Sequence, residues 1–326
     1  MIKISGKVIE LKHFPDGTQC LLDVDASYLC YLNNDGVEIE WHYENDEELV
    51  TLIYLVNHLR SKVPNTQLNL FMPYIPNARM DRTKQDCEVF TLKYFAKIIN
   101  SLHFSRIKVL DPHSDVSVAL LDNVEVLSPE KYIDNAIDSI FKKDNITNND
   151  NFMVYFPDAG AYKRYKDLKV FSPYHKIYGK KVRDWNTGKI LGLDIVDEDE
   201  RPFEIFEELD HSNPDTFDPD RFVKVKPLKD KIILMIDDII SYGGTMYYSA
   251  KKLDELGAKD IFAYATHVEG NSFWDIEKGT FRNAFGLTDA EGREYRTIVK
   301  KLYTTDSIYL NKPNDLNIVV VQNLSV

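Results

Sequence analysis

The chain has 326 residues, 44% of them hydrophobic, which is enough for two packed cores of ordinary domain size. Its 40 basic and 52 acidic residues leave a formal charge of −12, which argues against broad nucleic-acid or anionic-membrane binding and leaves room for local basic clusters on phosphates. Three widely spaced cysteines, Cys20, Cys30 and Cys87, point to a reducing compartment without a zinc site, and no run of about 18 apolar residues offers a membrane span, so the chain reads as soluble and cytoplasmic.

In chain order, Lys3 to Leu11 predicts a first strand and Gln19 to Val24 a second, separated by His13-Phe14-Pro15-Asp16-Gly17, which taken alone is a hairpin turn. Glu47 to Arg60 carries Leu49, Leu52, Ile53, Val56 and Leu59 at helical spacing. The short strand Gln67 to Met72 then runs into PYIPNARMDR, where two prolines forbid a helix and a stiff loop presents Arg79 and Arg82 with Asp81 between them. Paired guanidinium donors there suit a polyphosphate; surface ion pairs are an equally good reading of the residues alone. A helix over Phe90 to Leu102 and a strand over Arg106 to Leu110 follow, ending in Asp111-Pro112-His113-Ser114-Asp115, where a hard cation could be held.

After a helix at Lys131 to Lys142, the polar stretch KKDNITNNDN reads as the connection between two halves, which sets domains at 1–145 and 146–326. The second half opens with a strand, Phe152 to Phe156, and the turn Pro157-Asp158-Ala159-Gly160. Gly179 to Ile190 is basic within acidic surroundings and reads as a mobile loop carrying Lys181 and Arg183, or else as a solvated charge run. Residues 194–226 form an acidic insertion whose state the sequence leaves open.

The most informative stretch is KIILMIDDIISYGGT. The unbroken apolar run Ile232 to Ile236 suits a parallel strand covered on both faces, with Asp237 and Asp238 at the edge where open α/β sheets bind ligands. Beyond them, Ser241, Tyr242, Gly243, Gly244 and Thr245 let backbone N–H groups converge on an anion at the start of a helix, Thr245 to Leu256. A single helix cap explains one such residue and leaves the paired acids and glycines without a reason. Strands at Asp260 to His267, Leu302 to Ile308 and Leu316 to Gln322 complete an α/β rhythm.

DDIISYGGT resembles the phosphoribosyl pyrophosphate motif of type I phosphoribosyltransferases and of the ribose-phosphate pyrophosphokinases. FPDGT, PYIPNARMDR, DPHS, PDAG, AYATH and TTDS resemble the latter's FPDGE, PYxxYARQDR, DLHA, SPDAGG, AYATHG and VTDT, collinearly from Phe14 to Ser307. The Lys-x-Arg pattern of KVRDWNTGK is similar to the flexible loop of these kinases, in a form like compact phage versions, and simple phosphoribosyltransferases lack it. The sequence departs from the family at Thr18, usually glutamate, at Ser241, often aspartate, and at Tyr242, usually a small residue.

The resemblance implies two tandem phosphoribosyltransferase-type (Rossmann-like) α/β domains with mainly parallel sheets. It implies Mg2+-dependent transfer of the β,γ-pyrophosphoryl group of ATP to the 1-hydroxyl of ribose 5-phosphate, releasing AMP. Phe14, Asp16, Arg79 and Asp81 would contact ATP, and His113 and Asp158 the magnesium. Lys181 and Arg183 would stabilise the transition state. Asp237 and Asp238 would hold the ribose hydroxyls, and the Ser241 to Thr245 loop the 5-phosphate. Tyr242 and the acidic insertion also allow a larger acceptor such as ADP-ribose; a catalytically silent regulatory homologue and a base phosphoribosyltransferase are the further alternatives. The family implies a homo-oligomer, a dimer or hexamer.

Overall fold

The computed structural model describes residues 1–21, 24, 36–144, 151–183, 190–202, 206–208, 222–224, 227–270, 275–277, 280–309 and 318–324. The chain forms two compact units, the first made of Met1–Pro129 with Asp306–Ile308 and Asn323–Val326, the second of Glu130–Thr305 with Tyr309–Gln322.

In the first unit, β1 (Ile2–Ile4) and β2 (Lys7–Val8) form an antiparallel hairpin where the sequence suggests one strand. Ser5 and Gly6 take φ of 47° and 81°, the left-handed pair that turns the chain back, and Gly6 carries no Cβ to oppose it. A separate ribbon pairs β3 (Leu11–His13) with β4 (Gln19–Leu21), and Val24, the expected end of the second strand, lies outside β4; 22 and 23 fall outside the described residues. Next come β5 (Val37–Trp41), α1 (Glu47–Lys62), β6 (Leu68–Phe71), α2 (Thr91–Ser101), β7 (Arg106–Leu110), α3 (Asp115–Leu120) and β8 (Val124–Leu127). The sheet runs β2-β1-β5-β6-β7-β8, with β5 to β8 parallel. Val37, Ile39 and Trp41 alternate with Glu38 and Glu40 and are fully buried against Leu52, Leu55, Val56 and Leu59 of α1. Each such aliphatic side chain removed from water contributes about 1.5–3 kcal/mol.

The second unit begins with α4 (Glu130–Asp144), a helix that the reading of the sequence places before the domain boundary. It continues through β9 (Phe152–Phe156), α5 (Ala159–Tyr165), β10 (His175–Arg183), β11 (Ile190–Asp197), β12 (Phe206–Glu208), β13 (Phe222–Lys224), β14 (Ile232–Ile240), α6 (Gly244–Glu255), β15 (Asp260–Val268), β16 (Val299–Thr305) and β17 (Val319–Gln322). The sheet order is β11-β10-β9-β14-β15-β16-β17, parallel except for β11. All five residues of β9 are buried, as are Ile232 to Ile236 of β14, which is why neither strand shows apolar–polar alternation.

One reading changes here, and one that the sequence leaves open is partly filled in. The stretch expected as a loop around Lys181 and Arg183 is the second half of β10, laddered to β11 with Lys181 opposite Leu193 and Arg183 opposite Ile190; only 184–189 of it lie outside the described residues. Within the acidic stretch 194–226, Asp194 to Asp197 close β11, and β12 and β13 form a small antiparallel ladder of their own.

Candidate active site

In the first unit the two loops with predicted phosphate and cation roles leave neighbouring parallel strands at the same carboxyl edge. They are tied at their roots by the Leu110 N–H donating to Pro73 O at 3.0 Å and the Met72 N–H to Lys108 O at 2.9 Å. The proline-containing loop buries Tyr74, Ile75 and Ala78 and leaves Arg79 exposed, with Asp81 half-buried at 3.6 Å from Arg82. His113 follows a buried Asp111 at φ 43°, and Ser114 caps α3.

Phe14 and Asp16 occupy the β3–β4 turn, so the hairpin reading of FPDG describes the backbone: the Phe14 N–H donates to Thr18 O and the Gly17 N–H to Phe14 O. Asp16 accepts from the backbone N–H of Thr18 at 3.0 Å and from its hydroxyl at 2.7 Å, which together hold its carboxyl below the usual range. The ribbon is anchored on the first two turns of α1, where Gln19 donates to Glu47 O at 3.0 Å and accepts from Thr51 Oγ1 at 3.0 Å.

The second unit concentrates the chemistry. β14 pairs with β9 only as far as Met235, opposite Tyr155, so Asp237 and Asp238 lie on the part of the strand that overshoots its neighbour and pairs on one side only, with β15. The strand thus continues through both acids to Ile240 instead of ending before them. Asp238 is 6% exposed and accepts from Arg164 Nη1 of α5 at 3.1 Å. Burial, then the charge of Asp238 and further off that of Asp158, hold the Asp237 carboxyl well above the ordinary carboxylate range. Asp158 caps α5, its Oδ1 accepting from Gly160 N–H at 2.9 Å and Ala161 N–H at 3.1 Å. β10 likewise overshoots β9, whose pairing with it ends at Tyr178–Phe156, so the backbone of Lys181 and Arg183 extends beyond the same carboxyl edge.

Past Ile240 the chain turns through Ser241, Tyr242 and Gly243 into α6, with Gly243 at φ 71° and the Tyr242 side chain 44% exposed. The N–H groups of Gly243, Gly244, Thr245 and Met246 have no hydrogen-bond partner among the described residues. Open amides at the start of a twelve-residue helix beside a carboxylate pair make a site for an anionic, hydroxyl-bearing ligand. The structure therefore brings Asp158, Asp237, Asp238 and the Ser241–Thr245 loop to one sheet edge, and Phe14, Asp16, Arg79, Asp81 and His113 to the first unit. The bond of Arg164 to Asp238, a contact across 74 residues, leaves no signal in the sequence. Thr280 and Phe281, which lie against the loop, likewise show no pattern in the sequence. Among the described residues no group of three or more His, Cys, Asp or Glu could hold a metal ion, and no helix is long and apolar enough to cross a membrane.

No family model matches the chain. It is 26% identical over 263 residues to the ribose-phosphate pyrophosphokinase of Pyrococcus abyssi, covering 79% of this chain and 75% of that one. To the ribose-phosphate pyrophosphokinase of Saccharolobus solfataricus it is 24% identical over 323 residues, covering 98% and 90%. Among solved structures, phosphoribosylpyrophosphate synthetase from Mycobacterium smegmatis matches with a TM-score of 0.62 at 16% identity, over 97% of this chain and 86% of the other. Sequence and fold together make this chain a homologue of the ribose-phosphate pyrophosphokinases, built on the type I phosphoribosyltransferase fold.

Proposed function

We propose that the protein transfers the β,γ-pyrophosphoryl group of ATP to the 1-hydroxyl of ribose 5-phosphate. The observation that carries the reading is the second unit's sheet edge: two adjacent carboxylates followed at once by a turn with four open amides, in a chain similar over most of its length to ribose-phosphate pyrophosphokinases. Asp237 and Asp238 accept hydrogen bonds from the 2- and 3-hydroxyls, and the amides of Gly243 to Thr245, with Ser241 and Tyr242, receive the 5-phosphate. The sugar's 1-hydroxyl attacks the β-phosphorus in line, and AMP leaves. Transfer of this kind rests on positioning and on cations that neutralise spreading charge, a role assigned to Lys181 and Arg183. Phe14, Asp16, Arg79 and Asp81 contact ATP.

The donor set suits magnesium carried in on ATP. That ion keeps several waters and takes one or two protein ligands beside substrate phosphates, and three carboxylates, Asp158, Asp237 and Asp238, gather at the second unit's sheet edge. His113 in the first unit and Asp158 in the second are each assigned a magnesium contact, and the metal would supply charge neutralisation on the polyphosphate. A homo-oligomer working in the cytoplasm completes the reading.

One observation favours a second acceptor. Tyr242, large and 44% exposed, stands in the phosphate turn where the family carries a small residue, and its ring offers a surface to a group beyond the 5-phosphate, as in ADP-ribose. The test is AMP release from ATP and Mg2+ with ribose 5-phosphate and ADP-ribose in parallel, with products identified by mass. AMP with ribose 5-phosphate alone supports the first reading, and AMP mainly with ADP-ribose supports the second. No AMP with either refutes both and leaves a silent homologue or a base phosphoribosyltransferase.

A further inference from the structure

The phosphate turn of the second unit is held from behind by residues that lie outside the motif. The Tyr242 carbonyl accepts from the Thr280 N–H at 3.2 Å, the Thr280 hydroxyl at 3.2 Å and the Phe281 N–H at 3.3 Å. Had the helix begun one residue earlier, that carbonyl would have taken the Met246 N–H; instead the first helical bond runs from the Tyr247 N–H to Gly243 O at 2.9 Å. In a trans peptide the C=O of one residue and the N–H of the next point in opposite directions. Turning the Tyr242 carbonyl toward Thr280 therefore turns the Gly243 amide away from it and leaves it open.

Sterics enforce the same geometry. Phe281 is fully buried and seated on Gly243 so closely that a Cβ there would lie 2.2 Å from its own Cβ. The Thr280 hydroxyl sits 3.7 Å from where a Gly244 Cβ would be. The turn that carries them, Phe281–Ala284, is itself braced: Phe281 packs edge-on against Phe285 with ring centroids 5.1 Å apart, Arg282 Nη1 donates to Thr288 O at 2.6 Å, and Phe285 bridges to Thr297. Nothing in the ATP-contacting set of the proposed mechanism involves this turn.

We propose that Thr280 and Phe281 are positioning residues for the acceptor: they latch the Tyr242 peptide and the left-handed Gly243 so that the loop amides face the acceptor's 5-phosphate before it arrives. The inference rests on the reading of that loop as the acceptor phosphate site. A preorganised donor array loses affinity when its orientation is released, so the loss falls on the acceptor and spares ATP.

The experiment compares wild type with Thr280→Val, Thr280→Ser and Phe281→Ala. Turnover is measured at varied ATP and varied acceptor, and ribose 5-phosphate binding by calorimetry. The expected result is a ~10-fold weaker ribose 5-phosphate Kd and acceptor KM in Thr280→Val, recovered in Thr280→Ser, and a larger loss in Phe281→Ala, with the ATP KM unchanged. Thr280→Val equal to wild type in acceptor KM and Kd, or ATP and acceptor KM rising together, overturns the latch. If Phe281→Ala fails to fold, the valine and serine pair decides alone. A wild type without turnover refutes the proposed function, and the calorimetric comparison of the same pair then decides the latch.

Discussion

Replacing Arg164 by methionine tests the electrostatics of the acid pair most directly. The guanidinium lies 3.1 Å from the Asp238 carboxylate, whose side chain is 8% exposed against 31% for Arg164. Two unit charges at that distance attract by about 5 kcal/mol at the effective dielectric of a protein surface and by about 1.3 kcal/mol in water. The partial exposure of Arg164 puts the pair between these limits, and desolvation offsets part of the gain, so the net cost of removing the arginine is about 2–3 kcal/mol. Methionine keeps much of the aliphatic volume, which confines the loss to charge. Without the guanidinium, Asp238 has less positive charge beside it while Asp237 stays adjacent, so its ionised form is less favourable in the variant than in wild type. A group shifted in that direction costs most at high pH, so the deficit is full at pH 8 and shrinks as the pH falls toward 5. Urea denaturation of wild type, Arg164→Met, Asp238→Asn and the double variant across this range gives the coupling energy by a double-mutant cycle. A deficit under about 0.5 kcal/mol at pH 7, or one that does not change with pH, would refute the reasoning.

Asp237→Asn is expected to abolish turnover and yet stabilise the fold at neutral pH. The folded carboxyl titrates above its unfolded value, so the charged form weakens the native state as pH rises through the folded pKa; the variant's advantage in urea melts should therefore vanish toward pH 4. Gly243→Ala places a Cβ 2.2 Å from Phe281 at φ 71°, and left-handed strain plus overpacking should cost about 2–5 kcal/mol in thermal and urea unfolding and remove acceptor binding. Lys181→Ala should lower kcat by about 10²–10³ while leaving ribose 5-phosphate affinity in calorimetry near wild type, because a charge that stabilises the transition state contributes little to the ground state.

The parts of the protein legible from sequence were those in which one local rule acts alone. The buried strands β9 and β14 announce themselves as apolar runs, α1 and α6 by their spacing, and the turn after Asp238 by its two glycines. The β5 strand is as legible, since VEIEW alternates cleanly; β8, with an apolar–acidic–apolar run of four residues, carries too little pattern for a strand. Ser5-Gly6 held the signal for the first hairpin, and a run of β-formers on both sides masked it.

The remaining features depend on residues far apart in the chain. That Lys181 and Arg183 stand on a strand follows from the ladder to β11, because a strand is stabilised by its partner as much as by its own residues. The pairing of Arg164 with Asp238 and the seating of Phe281 on Gly243 arise when elements 74 and 38 residues apart meet at one sheet edge. The sequence by itself determines the α/β rhythm, the acid pair and the two-glycine turn that follows it, since each is written in contiguous residues. The charge balance on that pair and the direction in which the turn's amides face come from packing, because burial, neighbouring charge and peptide orientation are properties of the assembled site.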